Sequence, residues 1–183
     1  MGRMETGATV LVLTGLPATG KTTLGQMVAR AIRAPVFSGD SVMSSLSPLS
    51  SALDGLPPAD YARVCNGILF MLARRQVELG QDAIVDSVVA DDVLQEWIGL
   101  LAGSCRLRIV ECVVSDASLH RTRLENRLAD TGNGHEMSWA ALERMKASLG
   151  PWTVDRLVVD ATSSPDVACA TVLDWFVGGT VAL

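Results

Sequence analysis

Eight residues near the start of the chain have the types and spacing to hold a polyphosphate: Gly15-Leu16-Pro17-Ala18-Thr19-Gly20-Lys21-Thr22, of the form GxxxxGK[ST]. They lie directly behind the apolar run Thr9-Val10-Leu11-Val12-Leu13-Thr14 and open the amphipathic stretch 22–32. A buried strand that turns into a helix this way aims successive backbone N–H groups and the positive end of the helix at one point, where phosphate oxygens can sit. Gly15, Ala18, Thr19, Gly20, Lys21, Thr22 and Thr23 are the expected nucleotide-binding residues. The Lys21 ammonium would reach the outer phosphates, and the Thr22 hydroxyl would coordinate magnesium. The competing reading, a glycine-rich turn with an accidental Lys-Thr, is weakened by composition. Of fifteen Lys and Arg residues only Lys21 and Lys146 are lysines, so one of the two rare ammonium groups stands where phosphate binding needs a compact charge.

Transfer of a phosphoryl group asks a protein for positioning, charge compensation and a carboxylate to take or orient the proton of the attacking hydroxyl. Asp40 follows the run Val36-Phe37-Ser38-Gly39, and Asp86 closes Ala83-Ile84-Val85. Asp86 has the form of a magnesium-holding acid at a strand end; its alternative is a cap for the turn that follows. Asp40 is read as the base toward an acceptor, against the alternative of an N-cap for residues 41–46. If both strands lie on one side of the first, the two carboxylates share an edge with Lys21. In Arg121-Thr122-Arg123-Leu124-Glu125-Asn126-Arg127, helical spacing puts Arg123 and Arg127 on one face and turns Arg121 away. The pair suits a developing phosphoryl charge; a solvated helix face beside Glu125 is the alternative.

The elements that must position these groups alternate. Strand-like runs fall at 10–14, 35–38, 82–86, 107–114 and 156–159. Helical stretches fall at 22–33, 59–79, 92–102, 117–129, 138–149 and 165–176. Strands apolar nearly throughout and separated by helices predict a parallel sheet covered on both faces, in one α/β domain over residues 1–183. Ser138, Ser164 and either Ser115 or Asp116 are expected helix caps, Asp91 and Asp92 are read as caps of their own helix, and Trp139 and Trp152 as core. Residues 44–58 and 130–137 read as loops at the ligand edge, and the turn Thr162-Ser163-Ser164-Pro165 could border the nucleotide base.

Composition excludes other classes. A net charge of -5 argues against a general nucleic-acid binder. No apolar run approaches a membrane span and no basic, apolar leader opens the chain, so a cytoplasmic location is expected. Met1-Gly2-Arg3-Met4-Glu5-Thr6 fits a loose myristoylation pattern that short sequences match by chance, and is set aside. The four cysteines form no CxxC spacing and are read as reduced structural thiols. Two histidines, His120 and His135, offer little material for a metal site or a Ser-His-Asp triad.

Taken in order, residues 15–24, Ser38-Gly39-Asp40, Ile84-Val85-Asp86 and Arg123-Leu124-Glu125-Asn126-Arg127 resemble the small P-loop kinases. The likeness is to the group containing chloramphenicol phosphotransferase, zeta-toxin-like kinases and the small AAA-family ATPase kinases of bacteria. The resemblance implies a three-layer P-loop NTPase fold with a five-stranded parallel sheet in the order 2-3-1-4-5 and a small lid. It implies ATP with magnesium (Mg2+) and transfer of the terminal phosphoryl group to a small-molecule hydroxyl. It also implies Asp40 as base or acceptor-binding acid, Asp86 as the Walker B acid, and Arg123 and Arg127 as lid arginines. Acceptors in the group include antibiotics, sugars, nucleosides and nucleotide sugars, and this chain carries no signature that selects among them. Arginine far above lysine in an Ala-, Val- and Leu-rich chain suits a high-GC bacterial genome, and with it an antibiotic or other natural product. A nucleotide-switched regulator is disfavoured: Asp86-Ser87-Val88-Val89 lacks a DxxG switch, and Ser87 stands where a mechanical ATPase sets a water-polarising glutamate.

Overall fold

The computed structural model describes residues 7–49, 55–131 and 137–178. In chain order its elements are β1 (Thr9–Thr14), α1 (Lys21–Ile32), β2 (Val36–Ser38), α2 (Gly39–Leu46), a 3-10 turn (Ser47–Leu49), α3 (Pro58–Glu78), β3 (Ala83–Asp86), α4 (Asp91–Leu101), β4 (Arg106–Val113), α5 (Ala117–Thr131), α6 (Trp139–Ser148), β5 (Leu157–Asp160) and α7 (Pro165–Gly178). The sheet order is β2-β3-β1-β4-β5, and every pairing is parallel. Each expected strand and helix is present within about two residues.

Alternation along β1 explains the layers. Val10 and Val12 face a core shared with Leu69, Phe70 and Ala73 of α3 and Leu94 and Trp97 of α4. Leu11 and Leu13 face the other core, with Leu24 and Val28 of α1 and Val172 and Phe176 of α7. β1 and β3 are therefore buried throughout, whereas the edge strands β2 and β5 are only partly so. Truncating a fully buried Leu11 or Leu13 to Ala would cost about 2–5 kcal/mol.

Several expectations are corrected. Residues 44–49, read as the start of a loop, continue as α2 and the 3-10 turn. Asp91 is no cap: Ala90 holds the N-cap position, and the Asp91 carboxylate instead accepts from Thr153 N at 2.8 Å, Thr153 Oγ1 at 2.6 Å and Val154 N at 3.0 Å. It ties the chain ahead of β5 to the start of α4. Asp92 forms an exposed pair with Arg63. Trp139 is half-buried rather than core: its ring meets the His120 ring edge-on and carries the Arg121 guanidinium, so Arg121 does turn away from the arginine face. Trp152 packs partly buried against the α3–α4 core, as expected. Of the expected caps, Asp116 rather than Ser115 accepts from the first turn of α5 (Ser118 N and Leu119 N), while Ser138 and Ser164 cap α6 and α7. Met1 to Thr6, residues 50–54 of the first loop and 132–136 of the second lie outside the described residues.

Candidate active site

Parallel register brings the chemistry to one edge. Leu13, one residue before the end of β1, is level with Asp86, and Ser38 is level with the same Asp86 on the other side. The ends of β1, β3 and β2 thus lie side by side at the carboxyl edge of the sheet, where open α/β sheets bind ligands. Gly15 leaves β1 with φ 134°, and a Cβ there would lie 2.2 Å from the carbonyl oxygen of Cys112 on β4. Only glycine lets the loop cross so close to β4. Gly39, on the other side, abuts the Ser87 side chain, whose Oγ would lie 2.5 Å from an added Cβ. Ala18 holds φ 63°, a left-handed conformation in a residue with a side chain.

The loop is braced by its own side chains. Thr19 Oγ1 donates to Leu16 O at 2.8 Å, and Lys21 Nζ donates to Gly15 O at 2.9 Å and Leu16 O at 2.8 Å. Thr22 Oγ1 donates to Asp86 Oδ2 at 2.7 Å, so the two residues expected to hold a metal already touch. Lys21 is 8% exposed and Asp86 4%. Burial pushes the Lys21 ammonium below its ordinary value, against the attraction of Asp86. Burial likewise pushes Asp86 up, opposed by the Thr22 hydrogen bond and by Lys21. Beneath the loop, burial lifts the Cys112 thiol to about 12, which leaves it neutral at ordinary pH. The site therefore holds a cation and an acid poorly solvated at one point, and an incoming phosphate would supply the charge partner that water does not.

Asp40 lies in the first turn of α2 rather than before it, so it is not an N-cap. Its Oδ2 accepts from Arg127 Nη2 of α5, across 87 residues of sequence. Arg123, one turn earlier, donates instead to Ala161 O at 2.9 Å, in the turn after β5. The two expected lid arginines thus share a helix face and divide their partners. Arg127 meets the acid of α2, and Arg123 meets the turn that was expected to border the base. That turn is shaped by Asp160, whose carboxylate accepts from Ser115 N and Thr162 N, and hydrogen bonds from the Ser115 side chain first and then from the Thr162 backbone hold it at about 2. Ala161 lies against Gly20, 3.6 Å from where a Cβ would be.

Two contributors escaped the sequence reading. His120, buried on α5, places Nε2 2.8 Å from the carbonyl oxygen of Pro17 in the phosphate loop. It shares the face of Arg123 and Arg127 by its three- and seven-residue spacing, which was the available signal. Asn66 of α3 accepts from Ser87 Oγ at 3.2 Å and steadies the turn after Asp86.

The residues present suit magnesium. Thr22 and Asp86 supply a hydroxyl and a carboxylate, and among the described residues no cluster of three His, Cys, Asp or Glu forms an all-protein cage. A hydroxyl and a carboxylate are the hard oxygen donors that magnesium takes, and Thr22 and Asp86 would hold it.

The α/β fold, with its parallel sheet in the order 2-3-1-4-5, matches that of P-loop kinase structures. The chain belongs to the AAA domain family AAA_33, whose profile matches residues 10–152. Among solved structures it is similar to a candidate kinase from Chloroflexus aurantiacus, at 25% identity and TM-score 0.71, over 97% of this chain and 100% of that one. It is also similar to a sugar kinase from Janibacter (19% identity, TM-score 0.69, covering 93% and 94%). A third is the APS kinase of Mycobacterium tuberculosis in complex with AMPPNP and APS (17%, TM-score 0.63, covering 93% and 98%). At these last two identities the likeness establishes the fold. No curated protein matches the chain. Among the described residues no helix is long and apolar enough to cross a membrane.

Proposed function

We propose that this chain is an ATP-dependent phosphotransferase that moves the terminal phosphoryl group of ATP to a hydroxyl of a small molecule. One observation carries the reading. The Thr22–Asp86 contact beneath the phosphate loop and the Asp40–Arg127 pair stand at the same sheet edge, one suited to the nucleotide and the other to the acceptor. In this reading the loop N–H groups and Lys21 hold the phosphates, while Thr22 and Asp86 would hold magnesium. The ion, when bound, would neutralise charge on the outer phosphates. Asp40 takes the proton of the acceptor hydroxyl, Arg127 offsets charge on the group in flight, and Arg123 steadies the turn beside the base. The similarity to the candidate kinase from Chloroflexus aurantiacus over 97% of this chain supports the class.

The acceptor is proposed as an antibiotic or other natural product, on the arginine-rich composition. A sugar hydroxyl is the second reading, favoured by the likeness to the Janibacter sugar kinase. A zeta-toxin-like action on a nucleotide sugar would announce itself as growth arrest on expression. The protein, ATP and magnesium should add one phosphate, seen as a mass gain, to a member of a panel of hydroxylated antibiotics, sugars and nucleosides. Asp40→Asn should keep ATP binding and lose transfer by about 10²–10⁴-fold. Unchanged turnover would remove Asp40 from the mechanism, and a protein whose melting is indifferent to ATP would remove the proposal.

A further inference from the structure

On the side of α3 away from the core, Val64, Ile68, Met71 and Leu72 are 47%, 37%, 58% and 41% exposed. The other side of the same helix buries Cys65, Asn66, Leu69, Phe70 and Ala73, so the exposed four are surplus to the core. Their spacing of four, three and one residues makes them one continuous stripe rather than scattered side chains. Gly67 sits inside the stripe, where an added Cβ would meet nothing within 4 Å. Exposed Asp60 and Arg75 lie on the same line at either end. An apolar helix face capped by opposite charges marks a protein contact.

We propose that this stripe is the two-fold interface between two copies of the chain, with α3 packed antiparallel on its counterpart. The charge pattern selects that occupant. Centring the pair between Gly67 and Ile68 sets Asp60 opposite the second copy's Arg75, Val64 opposite its Met71 and Gly67 opposite its Ile68. By symmetry every contact occurs twice. A parallel pairing would instead place Asp60 on Asp60 and Arg75 on Arg75. The glycine lets the two helix axes approach closely while Ile68 fills the space above it. Arg75 also forms an i,i+3 pair with Glu78 at 3.0 Å on the exposed surface, which can be shared with the incoming carboxylate.

Sedimentation velocity on the full chain, over a concentration series from low to high micromolar, tests this. The wild type is expected to pass from monomer to dimer. Gly67→Gln raises helix propensity, so it should keep or raise the melting temperature while weakening association about tenfold or more. Asp60→Arg and Arg75→Asp should each weaken the dimer, because each reversal faces like charges twice, and the combined variant should recover it. A wild type that stays monomeric through the series would overturn the proposal. So would a dimer indifferent to Gly67→Gln and to both reversals, since it would then form through another surface.

Discussion

The two sides of the candidate site, one proposed for the nucleotide and the other for the acceptor, are built differently. Around the phosphate loop Lys21 and His120 are buried and bonded to loop backbone, Lys21 to Gly15 O and Leu16 O and His120 to Pro17 O, while Thr22, itself exposed, donates to the buried Asp86. On the acceptor side the pair Asp40 and Arg127 is exposed, with side chains 64% and 41% accessible, and comes from two helices far apart in the chain. A rigid cradle suits a ligand that is always the same, whereas exposed charges on separate helices can part and close around differing acceptors. The contrast also assigns free energy. Buried groups in poor solvent act strongly on charge, while an exposed ion pair adds about 0–1 kcal/mol to stability and is available to function.

The sharpest way to break this contrast is Lys21→Ala, which should lower phosphoryl transfer by about 10³-fold and weaken ATP binding. Steady-state kinetics beside calorimetric titration of ATP would check both, and near-normal turnover would mean that the loop is not the nucleotide site. Next in size is the division between the arginines. Arg127→Ala should lower kcat by about 10²-fold with little change in the KM for ATP. Arg123→Ala should mainly raise that KM, because it contacts the turn after β5. Identical kinetic signatures for the two variants would erase the division.

Outside the site, Asp91→Asn should cost about 2 kcal/mol at pH 7, because its carboxylate anchors Thr153 and Val154. Those hydrogen bonds, the Thr153 hydroxyl first, hold Asp91 well below the ordinary carboxylate range against the opposing effect of burial. The carboxylate's contribution is therefore complete above the unfolded-state value near pH 4 and is lost as pH falls toward the folded-state value. Urea melts of wild type and variant should differ most at pH 7 and converge in acid. The smallest effect is expected at Ala18. Glycine there removes the cost of a left-handed alanine and should stabilise the fold by about 0.5–1 kcal/mol in thermal melts, with nucleotide binding retained.

Residues near in sequence were legible in proportion to how locally their structure is made. The phosphate loop needs only a strand, eight residues and a helix, so spacing reveals it. Asp86 was readable as a position because an acid that closes an apolar run marks the end of a strand. The continuation of α2 beyond residue 44 was missed because serine, leucine and proline carry loop statistics, although the stretch packs against α3. Asp91 looked like a cap because an acid at the start of a helix usually is one. Beside Gln95 four residues on, its partners Thr153 and Val154 lie 62 and 63 residues away.

Sequence alone determined the phosphate loop, the alternation of strands and helices, and the acids just after β2 and at the end of β3, since each follows from contiguous residues and their period. Only the tertiary structure decided that Asp40 meets Arg127, that Arg123 turns to Ala161, and that His120 holds Pro17. Those contacts join separate elements through sheet order and helix placement, which depend on how two cores close around β1 and not on any local pattern.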